Sequence, residues 1–331
     1  MTMLPNFSYI QPRAVKDALE ALTDDAVVCA GGTDLLGCMR EGIITPGRVV
    51  SLEALDPLKG ITKTCEGGLA IGAMTTIAEI ARNPLVNSMY PSLAQGAWQV
   101  ASPQLRNQGT IGGNLCQKPR CWYYRGEFDC LRKGGKLCYA RRGQHQFHAI
   151  FGHDNRCYIT HPSDTAPPLV SLKARVLVKG LDKERTIPVA QLHVAPSFNP
   201  QAETVLEPGE IIIRIELPPA AENLKSAYRK VRARGAWDFA LAGAALALEM
   251  DGGRVMDARV VLSGAAPIPW RSHAVEKTII GRHLNRQTIA EAAAAVTESA
   301  EPLENNTYKT YLFQGIIEEE LARLTPRDQR G

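Results

Sequence analysis

Val28-Cys29-Ala30-Gly31-Gly32-Thr33-Asp34-Leu35 is the stretch that decides the fold of this chain, because it places two glycines where a strand becomes a helix. The short apolar run before the glycines suits a buried strand, and the spacing of apolar residues after them predicts a helix. Consecutive glycines let a backbone approach a ligand closely, and the amide groups of a helix N-terminus suit a phosphate. The stretch lacks the G-x-G-x-x-G pattern, so it does not support a Rossmann site.

A second turn of the same kind, Thr110-Ile111-Gly112-Gly113-Asn114, follows about eighty residues later. One Gly-Gly turn by itself is more often a tight turn that needs glycine for its shape. Two such turns, each after an apolar segment, favour a large dinucleotide held between two lobes. The polar side chains of the second turn can bond phosphate and ribityl oxygens.

The composition indicates a globular protein of two or three domains. The chain has 331 residues, of which 45% are hydrophobic and 22% are charged. Its net charge of +4 is too weak a bias to favour nucleic-acid binding. No apolar run reaches the length of a membrane span, and residues 1–6 have neither the basic start nor the apolar stretch of a signal peptide. We therefore expect a cytoplasmic protein, or a periplasmic one exported together with a partner subunit.

The cysteines form a local group. Of eight in the chain, five lie within one stretch: Cys116, Cys121, Cys130, Cys138 and Cys157. Residues 117–145 contain eight basic side chains, two acidic ones and four glycines, which is typical of an irregular, basic loop. The distances between these cysteines match neither the close pairs of structural zinc nor the common ferredoxin patterns, so spacing alone names no metal.

The charge of this loop allows two interpretations. Lysine and arginine would offset the negative charge of an iron–sulfur cluster held by four thiolates. The same loop could instead face nucleic acid, with Trp122, Tyr123 and Tyr124 as stacking residues. The number of thiols favours the cluster.

Three further motifs carry a resemblance to a known family. They are His161-Pro162-Ser163-Asp164-Thr165-Ala166, Leu206-Glu207-Pro208-Gly209-Glu210-Ile211-Ile212 and Tyr228-Arg229-Lys230-Val231-Arg232. With the two glycine turns, their order and spacing resemble the FAD-binding medium subunit of the xanthine dehydrogenase family of molybdenum hydroxylases. The resemblance spans nearly the whole chain.

The resemblance implies an α+β fold in three parts. A two-lobed FAD-binding domain of the vanillyl-alcohol-oxidase/CO-dehydrogenase flavoprotein type is expected at residues 1–58 and 59–219. A C-terminal α/β domain is expected at residues 220–331. Apolar runs predict strands near residues 156–160 and 174–179.

The resemblance also implies which residues bind FAD. Those that are expected to wrap the pyrophosphate are Val28, Cys29, Ala30, Gly31, Gly32, Thr33, Asp34 and Leu35. Those that are expected at the other phosphate and ribityl groups or at the isoalloxazine are Thr110, Gly113, Asn114, Ser163, Asp164, Ile212 and Lys230. Asp164 would accept from ribityl hydroxyls, and Lys230 would lie near the isoalloxazine. The residues alone favour plainer roles, with Asp164 as a helix N-cap and Lys230 as a solvated charge.

A branch of the family carries a [4Fe-4S] insertion just after the second glycine turn, and residues 116–157 look like it. This branch includes the flavoprotein subunits of 4-hydroxybenzoyl-CoA reductase and of periplasmic-type aldehyde oxidoreductases. The implied ligands are Cys121, Cys130, Cys138 and Cys157, with Cys116 as the spare. The other cysteines, Cys29, Cys38 and Cys65, are expected to be buried small apolar residues. His145, His148 and His153 are expected to be structural.

The resemblance implies an oxidoreductase subunit without catalytic residues of its own. FAD and the [4Fe-4S] cluster would exchange electrons with a molybdopterin-containing large subunit, a small [2Fe-2S] subunit and an external acceptor. The substrate would be an aldehyde, an N-heterocycle or an aromatic compound on the partner. In the reductase relatives of aromatic acyl-CoA thioesters, electrons flow toward molybdenum instead. The competing classes are a free-standing flavin oxidoreductase and a zinc or iron–sulfur protein that binds nucleic acid.

Overall fold

The computed structural model describes residues 4–325, which form three β-sheets with helices packed on them. The strands are β1 (Ser8–Ile10), β2 (Ala26–Cys29), β3 (Arg48–Ser51), β4 (Ile61–Lys63), β5 (Leu69–Gly72), β6 (Arg175–Lys179), β7 (Glu184–Pro188), β8 (Ile211–Leu217), β9 (Leu224–Val231), β10 (Ala242–Asp251), β11 (Arg254–Ser263) and β12 (Trp270–Arg271). The α-helices are α1 (Val15–Ala21), α2 (Leu35–Arg40), α3 (Ile77–Arg82), α4 (Pro84–Met89), α5 (Pro91–Gln99), α6 (Pro103–Gln108), α7 (Ile111–Leu115), α8 (Trp122–Arg125), α9 (Ala166–Ser171), α10 (His273–Ile279), α11 (Arg286–Ala295) and α12 (Tyr308–Leu324).

The first sheet is parallel and carries the first glycine turn. Its order is β1-β3-β2, and β2 and β3 pair in register from Ala26 opposite Arg48 to Cys29 opposite Ser51. Because parallel neighbours need a crossover, the chain leaves β2, turns at the two glycines and returns through α2. The turn therefore lies at the carboxyl edge of the sheet, where α/β folds bind ligands.

The second sheet is antiparallel, with the order β4-β5-β8-β6-β7. Its buried side chains pack against the helices between β5 and β6, around fully buried Leu93, Ile111 and Leu169. The second glycine turn lies on this layer, since α7 begins at its Thr110 cap. The sheet and its helices thus support the second half of the predicted ligand site.

The third sheet is antiparallel, with the order β12-β11-β10-β9. Helices α10, α11 and α12 contact this sheet and one another, and Phe313 and Ile317 of α12 are fully buried in the shared core. The predicted fold class, an FAD-type domain followed by an α/β C-terminal domain, is confirmed. The predicted boundaries after residues 58 and 219 fall between the three sheets, and the division into domains stays a prediction.

The strand expected at residues 156–160 is wrong, because this segment has no regular partner strand. Its backbone groups bond to separate places: the Tyr158 carbonyl accepts from the Ala149 amide, and the His161 amide donates to the Ala266 carbonyl. The segment is apolar because it is buried, and not because it belongs to a sheet. The end of the C-terminal domain from residue 326 onward lies outside the described residues.

The two glycine turns touch each other. A methyl group added at Gly31 would overlap the Gln108 carbonyl oxygen and come within 3.2 Å of the Gly109 Cα atom. One added at Gly113 would lie 3.6 Å from the Ala30 Cβ atom. Glycine is needed at position 31 because a backbone from the second lobe passes directly over it.

Gly31→Ala should therefore lower the free energy of unfolding by about 1–3 kcal/mol, the usual cost of overpacking. Urea unfolding followed by circular dichroism measures this. Gly37→Ala is the matched control, since the nearest atom to its added methyl is an Arg125 nitrogen 3.9 Å away. Alanine within a helix should be neutral or slightly stabilising at position 37. Equal stability of the Gly31 variant and the wild type would contradict the close approach.

Candidate functional site

A cavity of about 550 Å³ lies between the first two lobes and is lined by both glycine turns. Twelve of the fifteen predicted cofactor-binding residues line it: Val28, Ala30, Gly31, Gly32, Thr33, Asp34, Leu35, Thr110, Gly113, Asn114, Asp164 and Ile212. Cys29, Ser163 and Lys230 are not part of its wall. A volume of this size suits a cofactor, and the close backbone approach at Gly31 and Gly113 fits the narrow pyrophosphate of a dinucleotide.

The second glycine turn is held by side-chain hydrogen bonds. The Thr110 hydroxyl accepts from the Gly113 amide at 3.2 Å and caps α7. The Asn114 side-chain oxygen accepts from the hydroxyls of Ser163 at 2.5 Å and Thr165 at 2.7 Å. Ser163 is thus placed behind Asn114 and orients it, while Asn114 itself faces the cavity.

Asp34 joins the first glycine turn to the cysteine-bearing segment, residues 116–157. Its carboxylate accepts from the Lys118 amide at 2.7 Å, from Arg120 at 2.5 Å and from Arg125 at 2.8 Å. Burial would raise the pKa of Asp34, but the two guanidinium groups hold it below its usual range. The carboxylate is therefore charged and engaged with cations of the segment.

A buried ion pair lies beneath the cavity floor. Lys230 Nζ donates to Asp164 at 2.7 Å, and their side chains are 0% and 6% exposed. The ammonium group also donates to the carbonyls of Gln99 and Asp238 at 3.2 and 2.8 Å. Tyr228 donates its hydroxyl to Asp164 at 2.8 Å, and burial raises the pKa of this phenol well above its usual value. All three ammonium protons of Lys230 are used within the protein.

The plainer roles of both residues are excluded by this geometry. Lys230 is not a solvated charge, because it is 8% exposed. Asp164 does not cap α9, since Thr165 is the N-cap residue and the Ala166 amide donates to the Ser163 hydroxyl. Asp164 lines the cavity, and its two carboxylate oxygens accept from Tyr228 and Lys230.

The four predicted ligand cysteines converge although no secondary structure aligns them. Cys121, Cys130, Cys138 and Cys157 line one narrow space, whereas Cys116 lines the larger cavity of the glycine turns. The Cys157 thiol donates a hydrogen bond to the Cys138 sulfur, which lowers the pKa of Cys138 and raises that of Cys157. Burial raises the pKa of Cys121 to about 11.

A histidine contacts this group of cysteines. His148 Nε2 lies 3.2 Å from Cys121 Sγ, and burial lowers the pKa of the ring to about 4. Its Nδ1 has no partner among residues 4–325, so the tautomer with the proton on Nε2 donates to the sulfur. The other two loop histidines bond backbone atoms, His145 with Ala140 and Asn305 and His153 with Glu301 and Asn155. His153 Nε2 also lies 3.8 Å from the Glu301 carboxylate.

A third cavity, of about 120 Å³, connects the two sites. It shares Arg120, Asp164 and Phe239 with the larger cavity, and Cys121 and His148 with the group of cysteines. A group bound against Asp164 would therefore lie close to the cysteines. Any redox centres at the two sites would be neighbours.

The basic residues of the cysteine-bearing segment are largely paired. Lys118 and Arg132 bond Glu203, and Arg120 and Arg125 bond Asp34. The remaining five, Lys133, Lys136, Arg141, Arg142 and Arg156, are exposed to solvent. The aromatic residues proposed for stacking on bases are also engaged: Trp122 and Tyr123 pack edge-on against other rings, and Tyr124 is 4% exposed.

Some site residues were missed by the sequence reading, and one minor prediction is wrong. Arg120, Trp237 and Phe239 line the large cavity, with the Arg120 guanidinium 5.3 Å from the Phe239 ring centre. No local pattern marks residues 237–239, because a loop beside β10 brings them to the cavity. Cys38 is buried as expected and Cys29 is partly buried, but Cys65 is exposed in the turn between β4 and β5.

Within residues 4–325, no group of three or more His, Cys, Asp or Glu side chains is arranged to hold a metal ion. In the same residues, no helix is long and apolar enough to cross a membrane.

Family models match both parts of the chain. Residues 5–220 match the FAD binding domain in molybdopterin dehydrogenase, and residues 226–319 match the CO dehydrogenase flavoprotein C-terminal domain. The first match covers well over half of the chain and contains every residue of the glycine-turn cavity up to Ile212. The chain belongs to the FAD-binding subunits of the molybdopterin dehydrogenases.

Individual relatives agree with this family. The FAD-binding subunit PaoB of aldehyde oxidoreductase from Escherichia coli is 36% identical over 300 residues, covering 88% of this chain and 89% of PaoB. The carbon monoxide dehydrogenase medium chain of Hydrogenophaga pseudoflava is 27% identical and is covered to 96%, as is this chain. A solved structure of that dehydrogenase has a TM-score of 0.74 at 26% identity and 96% coverage of both chains. This chain is therefore an FAD-binding oxidoreductase subunit.

Lys230→Met should lower the free energy of unfolding by about 3–5 kcal/mol, because it leaves the Asp164 carboxylate buried without its cation. Denaturant unfolding followed by tryptophan fluorescence measures the loss. Arg229→Met is the control on the same strand, where the side chain is 49% exposed. Its effect should stay within about 1 kcal/mol. Equal losses of unfolding free energy in the two variants would contradict a stabilising role of the buried ion pair.

Proposed function

We propose that this subunit carries both FAD and a [4Fe-4S] cluster and conducts electrons for a molybdenum hydroxylase. The partners would be a molybdopterin-containing large subunit, on which substrate reacts, and a small [2Fe-2S] subunit. An external acceptor would take the electrons. The observation that carries the proposal is the convergence of Cys121, Cys130, Cys138 and Cys157 next to the flavin cavity.

The cysteine set fits a cluster by its chemistry. Four thiols are the usual ligand set of a four-iron cluster, and these four lie on an irregular segment that can adjust around it. Each cysteine sulfur would bind a different iron of such a cluster, so the four thiols would stand farther apart than those around a single ion. The four thiols therefore need not be arranged around a single metal ion. Cys116 is excluded from the proposed set because it faces the other cavity.

The proposed FAD site follows the walls of the large cavity. Residues 28–35 would surround the pyrophosphate, with amide groups at the start of α2 turned toward its charge. Asn114, held by Ser163, would meet the phosphate or ribityl groups, and Ile212 would add a backbone contact. Asp164 would accept from ribityl hydroxyls, with Lys230 fixing it from behind. FAD supplies the exchange between two-electron and one-electron chemistry when it is bound.

Asp34 would act on the flavin site indirectly. Its carboxylate is held by Arg120 and Arg125, so it orients the turn and leaves phosphate binding to the backbone amides. Negative charge facing a pyrophosphate would be unfavourable, and the two cations remove that conflict.

An aldehyde is the proposed substrate class of the complex. The relative at 36% identity is named as a subunit of an aldehyde oxidoreductase, and its match covers 88% of this chain. Oxidation of substrate at molybdenum would send electrons toward this FAD. The reverse flow of the thioester reductases would require an acyl-CoA site on the large subunit.

Metal and flavin analysis of the purified chain tests the cofactor assignment. A flavin absorption band with about four irons per chain is expected. Flavin without iron would remove the cluster from the proposal, and zinc without flavin would overturn both cofactors.

Cys130→Ser separates the two cofactors. The variant should lose iron and keep FAD, because Cys130 lines only the cysteine group. Cys65→Ser is the matched control, since this thiol is exposed and should leave both contents unchanged. Loss of FAD together with iron in the Cys130 variant would contradict a cluster appended to an intact flavin site.

The subunit role is tested by co-expression with candidate large and small subunits from the same source. Addition of aldehyde to the assembled complex should bleach the flavin band, while the isolated chain should not respond. A response of the isolated chain would instead identify a free-standing flavin enzyme.

A further inference from the structure

Lys309 is a buried charge without a counter-charge in the protein. Its side chain is fully buried at the start of α12, and burial lowers its pKa to about 7. Nζ donates to the carbonyls of Phe147 at 3.1 Å and Gly264 at 2.8 Å. Among residues 4–325, no carboxylate lies within 4.0 Å of it. An isolated ammonium group in such a place is costly unless something else offsets it.

The position of Lys309 points toward the cysteines. Phe147, whose carbonyl it binds, precedes His148, and His148 contacts Cys121 at 3.2 Å. His148 therefore lies along the chain between the carbonyl that Lys309 binds and the contact with Cys121.

Lys309 belongs to a segment that holds the cysteine-bearing loop from the C-terminal domain. The Asn306 amide donates to the carbonyls of His148 and Ala149 at 3.2 and 3.3 Å. The Tyr308 hydroxyl donates to the Gln146 carbonyl at 2.8 Å. These neutral groups suffice to position the backbone, so a charge at position 309 is not needed for attachment alone.

Most cations of the loop itself are poorly placed to offset charge at the cysteines; Arg132 lines the space between them, but it is paired with Glu203. Four of them are paired with Asp34 and Glu203, and the other five are exposed to solvent, where salt screens them. An oxidised four-iron cluster on four thiolates is a net anion, and reduction adds a further negative charge. A buried cation would act on it far more strongly than a surface one.

We propose that Lys309 is the buried counter-charge of the cluster and raises its reduction potential. This inference rests on the proposed [4Fe-4S] cluster. Lys309 is a positioning residue in this role, because it acts on the cluster through space and through the Phe147–His148 backbone without touching a ligand sulfur.

Two neutral variants in the cofactor-loaded chain test the role of the charge. Lys309→Met removes both the charge and the hydrogen bonds, and Lys309→Gln keeps amide protons for the carbonyls. Electron paramagnetic resonance during a redox titration measures the cluster's midpoint potential. Both variants should make reduction at least about tenfold less favourable, which for one electron is about 59 mV.

Two controls change the surroundings without removing the buried charge. Lys136→Met removes a solvent-exposed cation within the cysteine-bearing segment, and Tyr308→Phe removes a neighbouring hydrogen bond. Neither variant should change the equilibrium constant for reduction of the cluster by as much as twofold. Iron lost from both neutral Lys309 variants with FAD retained would also support the proposal, since the anionic cluster then depends on the charge.

Each other outcome is decisive against the role of Lys309. An unchanged potential in an iron-containing variant overturns it, and so does recovery of the wild-type potential by Lys309→Gln alone. Failure of both variants to fold overturns it too, because loss of an uncompensated buried charge should not harm the chain itself. Wild-type protein that binds FAD without iron would instead refute the underlying cluster assignment.

Discussion

The contact between the two glycine turns is the constraint on which the rest of the site depends. Gly31 lies against the Gln108 carbonyl and Gly109, so at this point the first two lobes meet through backbone. This contact sets the width of the cavity between them and brings amide groups from both lobes to one place. A side chain at position 31 would separate the lobes, and the remaining polar residues would then face a wider gap.

Charged groups extend this contact into the cysteine-bearing segment. Asp34 follows directly from the first turn, and its carboxylate binds both Arg120 and Arg125 on either side of Cys121. On the opposite flank, the C-terminal domain bonds the backbone of residues 146–149 through Asn306, Tyr308 and Lys309. An irregular segment is thus ordered by attachments at both ends, where a helix or strand would have ordered itself.

Local patterns in the sequence were enough to predict the features that depend on residues close together in the chain. The turn at Gly31 and Gly32 follows from a strand, two glycines and a helix, and the parallel sheet around it requires the crossover that α2 supplies. The four cysteines were selected from five, and the structure places Cys116 on the other cavity. Family resemblance rather than spacing made that selection.

Features that depend on distant partners could not be predicted in the same way. The function of Asp34 depends on arginines more than eighty positions away, and the burial of Lys230 depends on Asp164 and on the Gln99 carbonyl. Residues 156–160 have the composition of a strand, but their partners are Ala149 and Ala266 and not a neighbouring strand. An apolar sequence predicts that a segment is buried. Whether the segment pairs as a strand depends on which other segments the fold places next to it.

The distribution of charge explains why the C-terminal domain belongs to the site. The basic loop was expected to offset a cluster's charge itself, yet its partly buried cations are consumed by Asp34 and Glu203. Those pairs shape the loop and cancel much of their own field. Since a neutralised pair contributes little at a distance, an unpaired buried cation has to come from elsewhere, and Lys309 on α12 is in that position. In the proposed function, one lobe would thus bind the pyrophosphate, the second would bear the cluster ligands, and the third would supply a buried positive charge.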